Sequence, residues 1–415
     1  MNHPLRNLIR NKELMTSLAN TYGTPTYVYD YLRLKHNLNA LDKSLSQHFN
    51  KYHICYAVKS NSNPHLLKNM LSIIPNLGTD CSSPGEIFVS EKAGINTKHS
   101  IYTGNYESTK DLSFALDKQC YINLDDISSF NRLKQIGLPD RISFRLNPGF
   151  GKGSFSGITT GGKNAKFGIP AEKIISAYKK AKNAGIAHFG LQCMTGSGNL
   201  DDNYFVEVMS AIMYHAKKIE SELNINFQFI SMGGGFGIPY YGHESTLNYN
   251  SLFKKLSKIF YDAFSNKKNA PALWIEPGKS IIGDAGFILT SVVGLKKSYK
   301  NFIGLDAGME TLMRPALYGA FHQIFKVGDH GKNSGTFDFT GPICENTDRV
   351  AVNREFPSVK EGDLIAILDA GAYGYSMSHN FNTRPRSSEI LLNGNSHQLI
   401  RRRETINDIF SGCDV

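Results

Sequence analysis

The sequence predicts an α/β protein in which a parallel sheet covered by helices is followed by a separate β domain. Up to about residue 280, short β-prone runs alternate with stretches of helical periodicity. Such alternation is typical of parallel strands whose connecting helices cover the sheet. Beyond residue 280 the β-prone runs are separated mainly by Gly or Asn turns and few helical runs occur, as in an independent β domain.

The individual elements follow from the same patterns. The β-prone runs of the first part are 53–59, 141–147, 188–194 and 227–233. The helical stretches are 63–74, 84–94, 171–185 and 204–223. A (β/α)8 barrel and an open doubly wound sheet both satisfy this order. The β-prone runs of the second part are 287–299, 301–308, 335–344, 363–371 and 388–394. Residues 24–30 are also strand-like, and we expect them to pair with the β domain because chain termini often meet.

Composition narrows the class of protein. The chain has 415 residues and a formal charge of +10, but its basic residues are spread along the chain and no nucleic-acid-binding motif occurs. We therefore expect no nucleic-acid partner. No stretch has the length of a membrane span, and the N-terminus lacks the apolar core of a signal peptide. The six cysteines have irregular spacing, which predicts reduced thiols, a cytoplasmic location and no metal site.

Lys59 ends the first strong β-prone run, in the segment YAVKSN. The carboxyl end of a parallel strand is where barrel enzymes place reactive groups, because the strand fixes the side chain and the loop admits ligand. Most lysines at strand ends are solvated, however, and only the environment makes a lysine reactive. Taken alone, Lys59 indicates a candidate nucleophile or a surface cation.

Two further segments contain residue types suited to a cofactor. The cluster MGGGFG at 232–237 follows a β-prone run, and glycines allow several backbone N–H groups to approach one phosphate. A flexible turn is the alternative. The segment WIEPGKS contains Glu276, which is either a carboxylate for a heteroaromatic nitrogen or a surface carboxylate before a Pro-Gly turn.

Together with other motifs, these segments closely resemble the fold type III pyridoxal phosphate (PLP) dependent decarboxylases, and among them the diaminopimelate decarboxylases. The motifs stand in the order of the family: YAVKSN, RLNPGF, GGKNAKFGI, GGGFG, EPGK, LDAGMETLMRPALYGAFH, GPICENTD and GAYGYSMSHNFNTRPR. The resemblance implies an alanine-racemase-like fold. Residues 31–278 would form a PLP-binding (β/α)8 barrel, and residues 1–30 and 279–415 would form the β domain.

The resemblance also implies a cofactor site. Lys59 would hold PLP as a Schiff base, and Glu276 would face the pyridine nitrogen. A carboxylate there keeps the nitrogen protonated and makes the ring a stronger electron sink. The remaining residues implied to contact the cofactor are Met194, Ser197, Gly233, Gly234, Gly235, Gly278 and Tyr373.

Substrate recognition is implied by residues near the C-terminus. Arg314 and Tyr318 resemble the pair that binds the distal carboxylate of diaminopimelate, and Glu345 resembles the acceptor of its distal amine. Cys344 resembles the thiol that protonates the carbanion across a subunit interface, so the resemblance implies a homodimer with shared active sites. Lys279 and Tyr373 are further implied substrate contacts. The predicted reaction is conversion of meso-diaminopimelate to L-lysine, and a small-molecule amino acid is the expected partner.

Three positions depart from the family pattern and leave alternatives open. The usual HxHxGS pattern is replaced by a segment with Gln192 and Met194, and the usual EPGR ends in Lys279. Met194 retains a polarizable group for ring contact, whereas Lys279 loses the planar fork of arginine. A paralogous decarboxylase acting on another amino-acid-like, D-amino-acid or carrier-linked substrate is the alternative hypothesis. A non-catalytic PLP-binding homologue would be expected to lack Lys59 or Glu276, and the motifs GPICENTD and MRPALYG favour the decarboxylases over alanine racemase.

Overall fold

The computed structural model describes residues 3–264, 267–328 and 331–414. The chain divides into two compact units. Unit 1 comprises Met1–His36, Pro239–Glu244 and Ile281–Val415, and unit 2 comprises Asn37–Ile238 and Ser245–Ser280. The short segment Pro239–Glu244 lies within the range predicted for the barrel but belongs to unit 1.

The strands and helices are numbered in chain order. The strands are β1 Thr26–Asp30, β2 Tyr52–Ala57, β3 Gly78–Cys81, β4 Ile101–Tyr102, β5 Tyr121–Leu124, β6 Arg141–Asn147, β7 Ile169–Pro170, β8 His188–Cys193, β9 Phe227–Ser231, β10 Ala272–Ile275, β11 Gly286–Lys297, β12 Asn301–Leu305, β13 Ile324–Lys326, β14 Gly335–Thr340, β15 Arg349–Phe356, β16 Leu364–Ile367, β17 Ser388–Asn393 and β18 Ser396–Arg401. The helices are α1 Arg6–Arg10, α2 Lys12–Tyr22, α3 Tyr31–His48, α4 Pro64–Ile73, α5 Pro84–Lys92, α6 Thr109–Asp117, α7 Ile127–Ile136, α8 Ile174–Asn183, α9 Asp202–Leu223, α10 Tyr249–Asp262, α11 Lys279–Ile282, α12 Met313–Tyr318 and α13 Ile406–Ile409.

Unit 2 is a closed parallel barrel. Its strands follow the order β2, β3, β4, β5, β6, β8, β9 and β10, and β10 pairs with β2 to close the ring. The two-residue strand β7 pairs only with β6. The (β/α)8 barrel is therefore confirmed, and the open doubly wound sheet is excluded. The short strands β3, β4 and β5 have no more than four residues each, which is too few for a periodic pattern in the sequence.

The sequence around the first barrel strand shows why it ends where it does. The last four residues of β2 are buried, and a single 3-10 turn over Val58–Ser60 follows. Asn63 then caps α4 by accepting a hydrogen bond from the N–H of His65, and Pro64 occupies the first turn. Proline is favoured there because the first helical N–H has no helical partner. These signals fix a short connection between strand and helix, and Lys59 lies within it.

Unit 1 contains a mixed sheet of nine strands. Its strand β1 runs antiparallel to β11 and parallel to β17, so the predicted pairing of the N-terminal strand with the C-terminal β domain is confirmed. Helices α1 and α2 cover this part of the sheet with a buried apolar cluster. Its members include Leu5, Ile9, Met15, Leu18, Val28, Phe287, Leu289 and Ile390. None of the helices in the described part of the chain is both long and apolar enough to cross a membrane.

Candidate active site

Lys59 forms an ion pair that the sequence analysis did not predict. Its Nζ lies 3.0 Å from Oδ2 of Asp80, whose side chain is buried. Asp80 belongs to β3, which neighbours β2 in the barrel, so the register of two adjacent parallel strands brings the two residues together. The Lys59 side chain remains 44% exposed and is accessible to a ligand.

A second carboxyl group lies near this pair. Glu86, in the first turn of α5, accepts a hydrogen bond from the backbone N–H of Ser82 at 2.6 Å. Burial raises the pKa of Glu86 to about 7, while the Ser82 N–H and the charge of Lys59 act in the opposite direction. The surroundings of Lys59 are therefore acidic and partly desolvated.

Glu276 lies in a buried hydrogen-bond network built from three neighbouring strands. Gln192 in β8 stands opposite Ser231 in β9, and Ser231 stands opposite Trp274 in β10, two residues before Glu276. Gln192 Nε2 donates to Glu276 Oε2 at 2.8 Å, and Ser231 Oγ donates to Oε1 at 2.6 Å. The alternative of a surface carboxylate is therefore excluded, because the carboxyl ends of β8 and β9 enclose the side chain.

The surroundings of Glu276 weaken its acidity. Burial raises its pKa to about 7, and the nearby charge of Asp80 adds to this effect. The hydrogen bonds from Ser231 and Gln192 and the charge of Lys59 lower the pKa. A carboxyl group with a pKa near neutrality becomes more fully ionised when a cation is placed beside it, because a cation favours the ionised form.

The glycine cluster packs too closely for side chains. A Cβ on Gly234 would lie 2.1 Å from the carbonyl oxygen of Glu276, and one on Gly233 would lie 2.6 Å from that of Cys193. Gly233 and Gly235 also have φ of +69° and +92°, which strongly favours glycine. The N–H of Gly234 donates to Sδ of Met194 at 3.3 Å. Met194 therefore contacts the glycine cluster directly.

The EPGK segment is joined to the Lys59 turn. The N–H of Ala57 donates to the carbonyl of Pro277 at 3.0 Å, and a Cβ on Gly278 would lie 3.0 Å from Ser60 Oγ. Lys279 is buried, and a Cβ on Gly198, the residue after Ser197, would lie 3.0 Å from its Nζ. Unit 2 thus brings all its predicted site residues onto the loops that follow the barrel strands.

Arg314 is the centre of a polar cluster within unit 1. It lies on α12 four residues before Tyr318, so both side chains lie on one side of that helix. Nη1 of Arg314 lies 2.9 Å from Nε2 of His322, and the guanidinium lies 4.8 Å from the ring centre of Tyr240. Arg314 is only 2% exposed, and no carboxylate oxygen of the described residues lies within 4.0 Å of it.

Cys344 and Glu345 lie on an exposed loop that two side chains hold in place. The N–H of Cys344 donates to Oδ1 of Asn382 at 2.8 Å, and the N–H of Ile343 donates to Oδ2 of the buried Asp348 at 2.7 Å. Glu345 lines a cavity of about 530 Å³ within unit 1. The loop therefore presents a free thiol and a carboxylate on a fixed backbone.

Tyr373 adopts a backbone conformation that is uncommon for a residue with a side chain. Its φ is +58°, which lies in the left-handed region where only glycine is unstrained. The segment before it also contains Asp369 with φ +58°, whose buried carboxylate accepts from His3 Nε2 at 3.0 Å. Such conformations cluster at functional sites.

Comparison with known proteins identifies the family. The family described as "Pyridoxal-dependent decarboxylase, pyridoxal binding domain" matches residues 35–283. The chain belongs to this family. The decarboxylase is 37% identical to the diaminopimelate decarboxylase of Methanothermobacter thermautotrophicus over 403 residues, which cover 96% of this chain and 93% of that protein. It is 39% identical to the diaminopimelate decarboxylase of Thermoplasma acidophilum over 395 residues, with 95% and 94% covered.

Comparison with a solved structure supports the same family. The diaminopimelate decarboxylase of Helicobacter pylori complexed with L-lysine matches this decarboxylase with a TM-score of 0.88 at 30% identity. The match covers 95% of this chain and 98% of that chain. The decarboxylase therefore has the alanine-racemase-like fold, and its cofactor is pyridoxal phosphate.

The residues of unit 2 fit this cofactor. Lys59 offers a primary amine for covalent attachment, and the buried Glu276 offers an anion to a ring nitrogen that gains a proton. The glycine cluster provides closely packed backbone in which an added Cβ would collide with neighbouring carbonyl oxygens. These three features would hold the aldehyde, the ring and the phosphate of the cofactor respectively.

Sequence reasoning missed several residues that contact the predicted site of this decarboxylase. Asp80 is the third residue of a four-residue strand, and only its position near the carboxyl end of that strand could have singled it out. His322 lies inside a motif that carried the family resemblance, but its role depends on a contact with Arg314. Ser231 gave no signal because its partner is 45 positions away. Asp348 and Asn382 lie inside motifs of the family, but their hydrogen bonds to the loop of Cys344 are visible only in the structure.

Proposed function

We propose that this decarboxylase converts meso-diaminopimelate to L-lysine. The observation that supports this substrate is the buried guanidinium of Arg314, which has no carboxylate of the described residues within 4.0 Å. A buried charge is costly unless an opposite charge compensates it. Diaminopimelate carries a second carboxylate at the end remote from the reaction, whereas lysine and ornithine carry no carboxylate there.

The chemistry at the reacting end requires a bound cofactor and a proton donor. Bound pyridoxal phosphate supplies an electron sink for the pair that departing CO2 leaves on Cα. Lys59 holds the cofactor through its amine, and Asp80 orients that amine through the ion pair at 3.0 Å. Glu276, anchored by Ser231 and Gln192, offers negative charge to the ring nitrogen. Cys344 donates a proton to Cα after the loss of CO2.

The remote end of the substrate is recognised by three side chains. Arg314 binds the distal carboxylate, Tyr318 donates a hydrogen bond to it, and Glu345 accepts from the distal ammonium. An arginine fork matches a carboxylate in a bidentate geometry, which adds specificity as well as energy. Tyr373 and Lys279 complete the contacts to cofactor and substrate. The names of the relatives and the lysine bound to the Helicobacter pylori structure support the same assignment.

We propose further that the enzyme is a cytoplasmic homodimer whose active sites use Cys344 from the partner subunit. The exposed loop that bears Cys344 and Glu345 borders a cavity also lined by Val293 and Leu295. These two apolar side chains on β11 are 57% and 50% exposed. Exposed apolar side chains beside functional residues are typical of an interface, and a second copy of the chain would cover them.

A second substrate hypothesis rests on Lys279. This lysine is buried where the family usually carries arginine, so the site holds a point charge instead of a planar fork. Together with Met194, it supports a paralogous enzyme that accepts a different amino acid. A panel containing meso-diaminopimelate, D-lysine, L-lysine and L-ornithine separates the two hypotheses.

The decisive experiment combines that panel with one substitution. Purified enzyme saturated with pyridoxal phosphate is incubated with each amino acid, and CO2 and amine products are quantified. We expect meso-diaminopimelate to be the preferred substrate, and Arg314→Lys to raise its KM about tenfold or more because the bidentate contact is lost. Arg386→Lys is the control, since Arg386 forms an ion pair with Glu404 and is not among the proposed substrate contacts. Turnover of another amino acid without lysine formation from diaminopimelate would contradict the proposal.

A further inference from the structure

Each carboxylate oxygen of Glu276 has its own hydrogen-bond donor. Oε1 receives the hydroxyl of Ser231 at 2.6 Å, and Oε2 receives the amide of Gln192 at 2.8 Å. The side chain of Gln192 is only 2% exposed, so water does not compete for the amide. Gln192 therefore fixes the second oxygen of the carboxylate as Ser231 fixes the first.

The orientation of the Gln192 amide depends on the charge of Glu276. An ionised carboxylate only accepts hydrogen bonds, so Nε2 must face Glu276 and Oε1 must point away. In this orientation Oε1 is buried and has no donor among the described residues. Leaving a buried acceptor unsatisfied is costly. The bond to Glu276 offsets that cost and orients the amide toward the carboxyl group.

The glycine cluster is joined to the same network. Ser231 Oγ accepts from the N–H of Gly233 at 3.1 Å, and the N–H of Glu276 donates to the carbonyl of Gly233 at 2.8 Å. Movement of the Glu276 carboxylate would therefore disturb the backbone proposed to bind phosphate. Within this network, Gln192 occupies a position at which the family pattern usually has a histidine.

We infer that Gln192 is a positioning residue, which orients the Glu276 carboxylate and keeps the shared proton on the ring nitrogen of bound pyridoxal phosphate. The inference rests on the role assigned to Glu276 under the proposed function, but not on the identity of the substrate. The groups around Glu276 support it. Burial and the charge of Asp80 raise the pKa of Glu276 to about 7, and the bonds from Ser231 and Gln192 oppose that rise. Without the amide, the proton would shift toward the carboxylate.

The test follows the ring nitrogen directly. The holoenzyme is prepared with pyridoxal phosphate labelled with ¹⁵N in the ring, and its ¹⁵N resonance is recorded at pH 8 without substrate. The resonance of a pyridine nitrogen depends strongly on whether it carries a proton. We expect Gln192→Leu to move the proton equilibrium about tenfold toward Glu276, which corresponds to one lost hydrogen bond to a charged group. The resonance moves toward the unprotonated position.

Three further variants make the result specific. Ser231→Ala removes the other donor and should move the resonance in the same direction. Gln192→His retains a ring N–H as donor and should restore a resonance close to that of the unmodified protein. Gln323→Leu is the matched control, because Gln323 is also a buried glutamine whose Nε2 donates to a carbonyl, that of Tyr240. It should leave the resonance unchanged.

The role of Gln192 and the proposed substrate are tested by different measurements. A Gln192→Leu resonance identical to that of the unmodified holoenzyme would overturn the inference. If that variant does not fold or does not retain the cofactor, Gln192→Met, which is of similar size and has no donor, decides: an unchanged resonance overturns the inference, and a shift toward the unprotonated position supports it. Failure to turn over diaminopimelate would overturn the substrate assignment and would leave the ¹⁵N result unaffected.

Discussion

Nε2 of His322 lies 2.9 Å from Nη1 of Arg314, and Nδ1 of the same ring lies 2.7 Å from the carbonyl oxygen of Leu368. A carbonyl oxygen only accepts hydrogen bonds, so Nδ1 carries the hydrogen and Nε2 accepts from Arg314. His322 is fully buried, and this neutral tautomer holds the guanidinium in one orientation. A charged imidazole could not accept the bond.

We expect substitution of His322 to weaken substrate binding more than the chemical step. In His322→Leu the hydrogen bond from Arg314 is lost, and KM for diaminopimelate should rise roughly 10-fold to 100-fold, because hydrogen bonds to charged groups contribute about 1.5–3 kcal/mol. Steady-state kinetics check this. His322→Gln offers both an acceptor and a donor and should recover part of the loss. A fall in kcat with unchanged KM would contradict the role.

The apoprotein should lose stability as the pH rises from about 4.5 to 7. Burial raises the pKa of Glu276 from its usual 4.5 to about 7, so the folded state binds a proton that the unfolded state has already released. The free energy of unfolding therefore falls through this window, by roughly 3 kcal/mol from this group. Urea titrations at pH 5 and pH 7.5 measure the change.

Glu276→Gln isolates this contribution. The variant lacks the titrating carboxyl group, so the difference in its free energy of unfolding between the two pH values should be smaller than in the unmodified apoprotein. Equal differences in the two proteins would show that Glu276 is ionised at both pH values. Glu276 would then carry no raised pKa in the folded chain.

Cys344→Ser should reduce kcat by about 100-fold or more, because a hydroxyl is a much weaker proton donor than a thiol. KM for diaminopimelate should change little, since Arg314 and Tyr318 are unaffected. Cys413→Ser is the matched control, because both cysteines are free and exposed. Unchanged kcat in Cys344→Ser would assign the proton donor to another group.

Asn382→Ala tests the positioning of the same thiol. Asn382 accepts from the N–H of Cys344 at 2.8 Å, so its loss should free the loop and lower kcat in the same direction as Cys344→Ser, but less. In the double variant the second substitution should have almost no further effect on kcat, because both act through one thiol. Additive losses would indicate that Asn382 acts elsewhere.

Met194→His restores the residue type usual for the family at this position. The substitution removes the sulfur that accepts from the N–H of Gly234 at 3.3 Å, and it introduces an imidazole beside the glycine cluster. If Met194 adapts the site to this chain's substrate, the ratio of kcat/KM for diaminopimelate to that for D-lysine should change several-fold. An unchanged ratio would count against a role in specificity.

Local sequence patterns were sufficient to predict that Lys59 and Glu276 belong to the site. Lys59 and Glu276 each end a β-prone run, and the carboxyl ends of parallel barrel strands meet at one face. The pairing of β1 with β11 and β17 also followed from a short strand-like segment near the N-terminus. The boundary between the units was harder to predict from the sequence, because Pro239–Glu244 belongs to unit 1 although it lies between two barrel elements.

The sequence by itself determined the alternation that forms the barrel, the residue types at its carboxyl ends, and the motifs that indicate a pyridoxal phosphate enzyme. Only the tertiary structure decided which side chains meet. Asp80 reaches Lys59 across 21 positions, and Gln192 reaches Glu276 across 84. The register of adjacent parallel strands brings such pairs together, and register depends on the packing of the whole barrel. The same packing removes water from Glu276 and makes it a buried carboxyl group with a raised pKa.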